Sequence, residues 1–480
     1  MEVVLLVDFG STHTKVLAVD LDREEIVGRS QAVTTVEEDI TIGLNNALEQ
    51  LFSRFDITER DIVARYASSS AAGGLRMAAI GLVPSLTLEA ARRAALGAGA
   101  KVVWSSGYEL DESSVEEVRA AACDIILLSG GTDGGDKKTI IANATLIAQS
   151  DIAAPVIVAG NRTAAGTVRR ILDDAGKSSF QVENVLPLLD RLNVEPAQAL
   201  IRDLFIRQIT AAKGLNRAQE YIGDIVMPTP KATLQAAALL ADGSGDEPGI
   251  GTLLVVEVGG ATINIHSVAD GRPADAKTVL RGLPETRTKR TVEGDLGIRY
   301  NAPTILEFVG AARCLERLRT VLPDARIDAD ELAARVHRLS SDVGHVPSTD
   351  LDDAIDRVLA EAAVSFAVER HAGTLKQEFT LAGEVKVQVG KDLTQVTNLV
   401  GTGGIFKYGR WPEKVLASAL YDAGVPWSLK PMRPAAWLDQ GYLLYGIGLL
   451  AEHSPGKALR IAKKYLKRVD LDGGNARGFQ

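Results

Sequence analysis

Apolar positions along this chain change period several times, and each change predicts an element. Val3–Asp8, Thr14–Asp20 and Glu25–Thr35 alternate or run apolar, which predicts three strands joined by short turns. Ile42, Leu44, Ala47, Leu48, Leu51 and Phe55 then recur at near-helical spacing and predict a helix over 39–55. Ile62–Ser68 predicts another strand, opening into the small-residue tract SSSAAGG (Ser68 to Gly74). Leu86–Leu96 predicts a helix capped by Ser85, with Glu89 well placed near its N-terminus. From 100 to 210 short apolar runs (Lys101–Trp104, Asp124–Leu128, Pro155–Ala159) alternate with helical stretches near 113–122, 137–149 and 163–175. That alternation predicts a parallel sheet covered by helices. Later helices are expected over 304–320, 330–340, 351–368, 411–422 and 439–450, with the stretch after 456 basic and then fraying.

One pattern occurs twice. VLLVDFGSTHTKV (Val4 to Val16) and LLVVEVGGATINI (Leu253 to Ile265) start 249 residues apart and keep register throughout. Asp8 falls on Glu257, Gly10 on Gly259, Ser11 on Gly260 and Lys15 on Asn264. Each copy is an apolar strand ending in an acid, a turn of small residues and a second strand. An acid at a strand end suits a metal ion or its waters, and glycine lets backbone N–H groups approach phosphate oxygens. In the first copy Ser11, Thr12 and Thr14 add hydroxyls, and Lys15 adds a cation suited to a terminal phosphate. A single such hairpin would be an ordinary polar-tipped turn, but a matched pair points to two lobes sharing one phosphate ligand.

Other glycine-rich stretches stay open to two readings. SGGTDGGDK (Ser129 to Lys137) sits where a strand's carboxyl end meets a helix, so Asp133 and Asp136 belong either to a ligand loop or to a glycine-rich connection. DGSGDEPG (Asp242 to Gly249) is the expected crossing between domains. RGLPETRTKRT (Arg281 to Thr291) suits a solvated loop or a contact with phosphate or an acidic partner, and VEGDLG (Val292 to Gly297) suits a site or a turn. TNLVGTGGIF (Thr397 to Phe406) ends a strand in a side-chain-free turn on which a planar base or a phosphate fits.

Composition narrows the class. With 480 residues, two or more domains are expected. Apolar content of 46% and charged content of 24% are those of a soluble globular protein. A net charge of −9 gives no global field to attract nucleic acid or anionic membrane. No apolar run reaches transmembrane length, so no membrane-spanning helix is expected, and with the first strand starting close to Met1 no signal peptide is expected. Cys123 and Cys314 are too few for a metal cluster and are expected to stay reduced in a cytoplasmic setting, and six scattered histidines show no ligand spacing.

The three glycine signals, in this order, resemble the nucleotide-binding core of the actin, Hsp70 and sugar-kinase superfamily. Within it the chain looks most like the glutamate mutase accessory protein L (MutL-type) family, unrelated to mismatch repair. LVDFGSTHTK (Leu6 to Lys15), SSSAAGGLR (Ser68 to Arg76), GGTDGGD (Gly130 to Asp136), KRTVEGDLG (Lys289 to Gly297) and GTGG (Gly401 to Gly404) carry the likeness. The resemblance implies an α/β, duplicated actin-like ATPase (ribonuclease H-like) fold, two lobes around a nucleotide cleft. It places a first lobe at 1–245 with an extra α/β segment near 100–220, a second at 250–430, and C-terminal helices with a frayed tail at 431–480. It implies ATP and Mg²⁺ as ligands, with Asp8 and Glu257 toward the metal and Asp8, Lys15 and Glu257 in catalysis. The phosphates would lie on Gly10, Ser11, Thr12, Thr14, Lys15, Gly259, Gly260, Ala261, Thr262 and Asn264, and the adenosine on Gly401, Thr402, Gly403 and Gly404. The implied role is an accessory, reactivating chaperone that couples ATP to exchange of damaged cofactor in an adenosylcobalamin-dependent mutase, with no nucleic-acid or membrane partner. The family's second hairpin usually has aspartate where Glu257 stands, and many members have an acid where Asn264 stands. ATP binding is therefore a firmer expectation than hydrolysis, and a small-molecule kinase and a nucleotide-binding scaffold with little turnover stay open. D-x-H-x-x-G is absent, so direct cobalamin binding of that type is not expected.

Overall fold

The structure is a computed structural model that describes residues 2–10, 13–35, 39–70, 75–212, 221–223, 225–245, 247–380 and 383–471. Ser11 and Thr12, the 71–74 part of the small-residue tract, Asp246 and the tail at 472–480 lie outside them.

Contacts divide the chain into two units. The first comprises Met1–Ala236, Gly282–Pro284 and Tyr445–Ile461; the second comprises Ala237–Arg281, Glu285–Leu444 and Ala462–Gln480. In the first, β1 (Val3–Phe9), β2 (His13–Asp20) and β3 (Glu25–Val33) form the expected antiparallel meander. Helix α1 (Ile40–Arg54) follows, capped by the Asp39 carboxylate accepting from Thr41 N–H at 2.9 Å, and its apolar stripe buries Leu44, Ala47, Leu48 and Leu51 against the meander. β4 (Ile62–Ser69) pairs parallel to β1.

Between β4 and the next strand of this sheet lies the expected parallel sheet. It begins earlier than the alternation suggests, with β5 (Arg76–Ile80), and continues through β6 (Lys101–Ser106), β7 (Ile125–Leu128), β8 (Val156–Val158) and β9 (Ser179–Gln181). The order is β6-β5-β7-β8-β9, all parallel. Helices α2 (Glu89–Gly97), α3 (Glu112–Ala120), α4 (Lys138–Gln149) and α5 (Arg162–Asp174) make the crossovers, and apolar residues fill both faces. Ser85 does not cap α2. A π-turn at Pro84–Leu88 leads in, and Thr87 Oγ1 accepts from the N–H groups of Leu82 and Val83. After α6 (Glu195–Ala212), β10 (Ile225–Pro228) returns to pair with β4, giving the order β10-β4-β1-β2-β3, and α7 (Thr229–Asp242) follows.

The second unit repeats this sheet. A small hairpin, β11 (Gly243–Ser244) and β12 (Glu247–Pro248), precedes β13 (Leu253–Val258) and β14 (Ile263–Val268). β15 (Val279–Arg281) ends at the start of the basic stretch and β16 (Thr288–Glu293) takes up its last part, pairing with β14. Residues 282–287 between them form a largely exposed loop, and the arginines of the stretch make surface ion pairs: Arg287 with Asp242 and Asp270, and Arg281 in a two-bond pair with Glu378. Helices α8 (Ala302–Val309), α9 (Ala311–Val321), α10 (Ala329–Ser341) and α11 (Asp350–His371) cover one face. The single helix expected over 304–320 is broken by Gly310, whose φ is 86°.

β17 (Thr374–Thr380) and β18 (Gly383–Val389) form a three-stranded sheet with β15. β19 (Asn398–Gly403) then enters parallel to β13, followed by α12 (Gly404–Tyr408), α13 (Pro412–Ala417) and β20 (Ala435–Asp439). The expected helix over 439–450 therefore starts later, as α14 (Leu444–Ala451), because its first residue ends a strand. After α15 (Pro455–Tyr465), β21 (Lys467–Val469) closes the order β16-β14-β13-β19-β20-β21. Each unit thus has a three-stranded antiparallel arrangement extended on its first strand by two parallel strands, and in the second unit β21 adds an antiparallel edge. The fold is α/β, a duplicated ribonuclease H-like sheet of the actin-like kind.

Candidate functional site

The duplication read from the sequence is reproduced bond by bond. Asp8 sits opposite Lys15, and Glu257 opposite Asn264. Gly10 N–H donates to His13 C=O at 3.1 Å, and Gly259 N–H to Thr262 C=O at 3.0 Å. A Cβ on Gly10 would stand 2.6 Å from the His13 oxygen, so the first turn requires glycine there. The equivalence extends to the fourth strand of each sheet: Ser68 lies beside Asp8, and Thr402 beside Glu257.

In the first copy the acid is surrounded by donors. Asp8 is 1% exposed. Its Oδ2 accepts from Lys15 Nζ at 3.0 Å, and its Oδ1 from Thr229 Oγ1 at 2.6 Å and from Ser68 Oγ at 3.4 Å. A carboxylate offers about four acceptor positions, so one is left for a water or a metal-bound water. The Lys15 side chain is only partly buried and places its charge beside the turn. His13, next to that charge, is held below the usual histidine range by burial and then by Lys15. Thr14 faces elsewhere: its hydroxyl is buried and pairs with Thr34 Oγ1 at 3.1 Å.

The second copy is built differently. The carbonyls of its turn are all occupied: Gly259 C=O accepts from Ile298 N–H, Gly260 C=O from Arg299 and Tyr300 N–H, and Ala261 C=O from Asn301 Nδ2 at 2.9 Å. Gly297 packs so closely that a Cβ there would meet the Ala261 carbonyl carbon at 2.2 Å. VEGDLG is thus the cradle of this hairpin, while Glu293 and Asp295 pair with Arg370. By contrast the N–H groups of Gly260, Ala261 and Thr262 have no hydrogen-bond acceptor among the described residues. Successive half-buried N–H groups without acceptors suit an anion.

Glu257, 8% exposed, faces His266, whose Nε2 lies 3.2 Å from Oε2. Asn264 Oδ1 accepts from Arg290 Nη2 at 2.8 Å. Burial lowers the Arg290 pKa to about 10, against the opposing pull of Glu257.

The GTGG turn has internal duties. Gly401 makes room for the Phe406 ring, and Gly403, at φ 110°, brings its backbone within 2.2 Å (Cβ position to oxygen) of Val258 C=O. Thr402 donates to Asp439 Oδ2 at 2.9 Å. Asp439 also accepts from the N–H groups of Leu443 and Leu444, and burial raises its pKa. Gly404 alone has open space about its Cβ position.

The loop at 129–137 is likewise pinned from within. Asp133 Oδ1 accepts from Arg162 N–H and Asn184 Nδ2, Asp136 Oδ2 from Thr139 N–H, and Asn161 ties Gly134, Gly135 and the Asp136 carbonyl together.

The family model for MutL protein matches residues 4–466. Protein MutL of Clostridium tetanomorphum is 45% identical over 469 residues, covering 98% of this chain and all of that one. The chain belongs to the MutL protein family. Likeness to solved structures is weak. A glycerol dehydratase reactivase is 9% identical with a TM-score of 0.35, covering 94% of this chain and 99% of that one. The activator of the 2-hydroxyisocaproyl-CoA dehydratase from Clostridium difficile is 10% identical with a TM-score of 0.31, covering 98% and 99%. At such scores neither bears on the chemistry of this MutL-family chain.

Sequence reasoning missed Thr229, His266, Arg290 and Asn301. Carrying the duplication on to the fourth strand, where Ser68 and Thr402 end matching runs, would have found those two as equivalents. Thr229 and Arg290 come from elements with no counterpart in the repeated motif. Among the described residues there is no group of three or more metal-ligating side chains, and no helix is long and apolar enough to cross a membrane. Taken separately, the Asp8 carboxylate with the Lys15 ammonium in the first unit, and the Glu257 carboxylate with the acceptor-free turn N–H groups in the second, are each donor sets that suit phosphate oxygens and the waters of a magnesium ion.

Proposed function

We propose that this MutL-family chain is an ATP-dependent accessory protein that reactivates an adenosylcobalamin-dependent mutase. The observation that carries the nucleotide half of this reading is the matched turn, Gly10–His13 and Gly259–Thr262, each beneath a strand-end acid. Asp8 and Glu257 would hold the magnesium ion through its waters, and the ion would supply charge neutralisation at the phosphates. Lys15 and the turn N–H groups would bind the phosphates. Any hydrolysis would rest on positioning and electrostatics more than on a strong base. Gly404, at the start of α12, is the part of GTGG with open space about it for the adenosine. The mutase half rests on the family likeness. Different affinity for the partner in the ATP and ADP states would drive the lobes between closed and open forms and let damaged cofactor leave.

Incubation with ATP and Mg²⁺ tests the reading. Steady phosphate release independent of any small acceptor, stimulated by a mutase carrying inactive cobalamin, is expected. Release that requires a sugar or organic acid would replace the reading with a kinase. Tight binding without release, and without effect on the mutase, would replace it with a scaffold.

A further inference from the structure

Behind Glu257 lie His266 and Arg290, buried polar side chains that nothing above puts to use. His266 pairs in register with Arg290, and Glu257 with Asn264, so all four side chains lie on one face of β13, β14 and β16. None exceeds 8% exposure, and His266 is fully buried. The opposite face holds the apolar core of this unit.

The tautomer of His266 follows from its surroundings. Nδ1 is buried without a hydrogen-bond partner, and an N–H there would lose a full hydrogen bond. Glu257 Oε2, 3.2 Å from Nε2, is an acceptor. The proton therefore resides on Nε2 and is donated to the carboxylate. That bond ties one oxygen and restrains a side chain that has one more rotatable bond than Asp8. Oε1 has no hydrogen-bond partner among the described residues. Arg290, anchored on Asn264 at 2.8 Å, supplies the nearby positive charge that Lys15 supplies to Asp8.

We propose that His266 is a positioning residue for Glu257, holding Oε2 through Nε2–H so that Oε1 is presented to the water or metal-bound water of the nucleotide site, and that Arg290, anchored on Asn264, supports it electrostatically. This rests on the nucleotide reading and deepens it. The extra methylene of Glu257 is then accommodated by the His266 bond, and the second hairpin works without a cation at position 264.

The test compares His266→Leu and His266→Gln by nucleotide titration, by phosphate release and by the electron-spin spectrum of Mn²⁺ bound with ATP. His266→Leu is expected to lower kcat at least 10-fold, leave the KM for ATP within 3-fold and alter the Mn²⁺ spectrum. His266→Gln, whose amide still donates, recovers most of the loss, and Arg290→Lys recovers more than Arg290→Met. If the wild type binds Mn²⁺–ATP without turnover, the Mn²⁺ spectrum is the readout, and the same ranking is expected. A wild-type rate and spectrum in folded His266→Leu would overturn the proposal and leave the nucleotide reading standing. So would a folded His266→Gln as impaired as the leucine variant. A wild type that binds no nucleotide at all would overturn both.

Discussion

Lys15 Nζ stands 3.0 Å from Asp8 Oδ2 across adjacent strands, while the equivalent cross-strand neighbour of Glu257 is the neutral Asn264. The two hairpins are thus alike in backbone and unlike in charge, so the first is expected to be the stronger phosphate ligand under the proposed reading. Charge-assisted hydrogen bonds contribute about 1.5–3 kcal/mol. Lys15→Ala is therefore expected to weaken ATP affinity roughly 10- to 100-fold, measured by titration with a fluorescent nucleotide. Asn264→Ala should weaken it less than 5-fold. Equal losses at the two positions would show that the hairpins contribute alike.

Gly403 and Gly404 are adjacent and make opposite predictions. At Gly403 a Cβ would meet Val258 C=O at 2.2 Å, on a backbone with φ 110°. With ψ at 177°, this backbone conformation is open essentially to glycine alone and costs another residue about 1–3 kcal/mol, and overpacking costs about 1–3 kcal/mol. Gly403→Ala should therefore lower the urea midpoint of the second unit clearly. Gly404→Ala, at an open first helical position, should leave it unchanged or slightly raised. If the two variants had the same midpoint, the close approach of Gly403 to β13 would be wrong.

How far the sequence reaches can be judged from these same residues. The duplicated hairpin was legible because its apolar and small residues sit in a fixed local register, down to Asp8 opposite Lys15. The parallel sheet was legible because β7 and β8 are continuous apolar runs bounded by turns. β17 and β18 were not: with Phe379 85% exposed and Lys376, Glu384 and Lys386 at the surface, burial imposes no clean alternation on them. Arg290 and Asn301 were not legible as site residues because their partners, Asn264 and Ala261, lie 26 and 40 positions away. The packing of Gly401 on Phe406 and of Gly403 on Val258 was not legible, because a flat turn against a base and a backbone packed on a strand demand the same residue type.

Buried His371 gives the second unit a pH dependence with a definite sign. Its Nε2 lies 2.8 Å from Ser267 Oγ and its Nδ1 2.9 Å from Thr291 Oγ1. Burial, then the charges of Lys289 and Lys391, hold its pKa well below the ordinary value of 6.5. Between those two values the unfolded chain binds a proton that the folded chain does not. Stability is therefore fully present above about pH 6.5 and falls as pH drops toward the folded pKa, by about 1.4 kcal/mol per pH unit for this group. His266, lowered by its own burial, acts in the same direction. In urea titrations at pH 7.5 and 5.5, His371→Gln should show a smaller loss on acidification than the wild type. An unchanged loss would mean that His371 is protonated in the fold.

Asn301 tests whether the second hairpin is held from behind for ligand binding. Its amide donates to Ala261 C=O at 2.9 Å and to Gly294 C=O at 3.0 Å, joining the hairpin tip to the start of β16's following loop. It lies 40 residues from Ala261 in sequence, so this tie is tertiary. Asn301→Ala leaves two half-buried carbonyls without that donor, at about 1–3 kcal/mol. The three acceptor-free N–H groups of the tip keep their chemistry but lose part of their fixed geometry. ATP affinity should therefore fall about 5- to 20-fold, while binding of Mg²⁺-free ADP, which has one phosphate fewer to place, should fall less. Backbone hydrogen exchange should rise at Gly260–Thr262 and stay unchanged in β1 and β2. Faster exchange with undiminished ATP affinity would separate the hairpin's order from its binding and remove the second copy from the phosphate site.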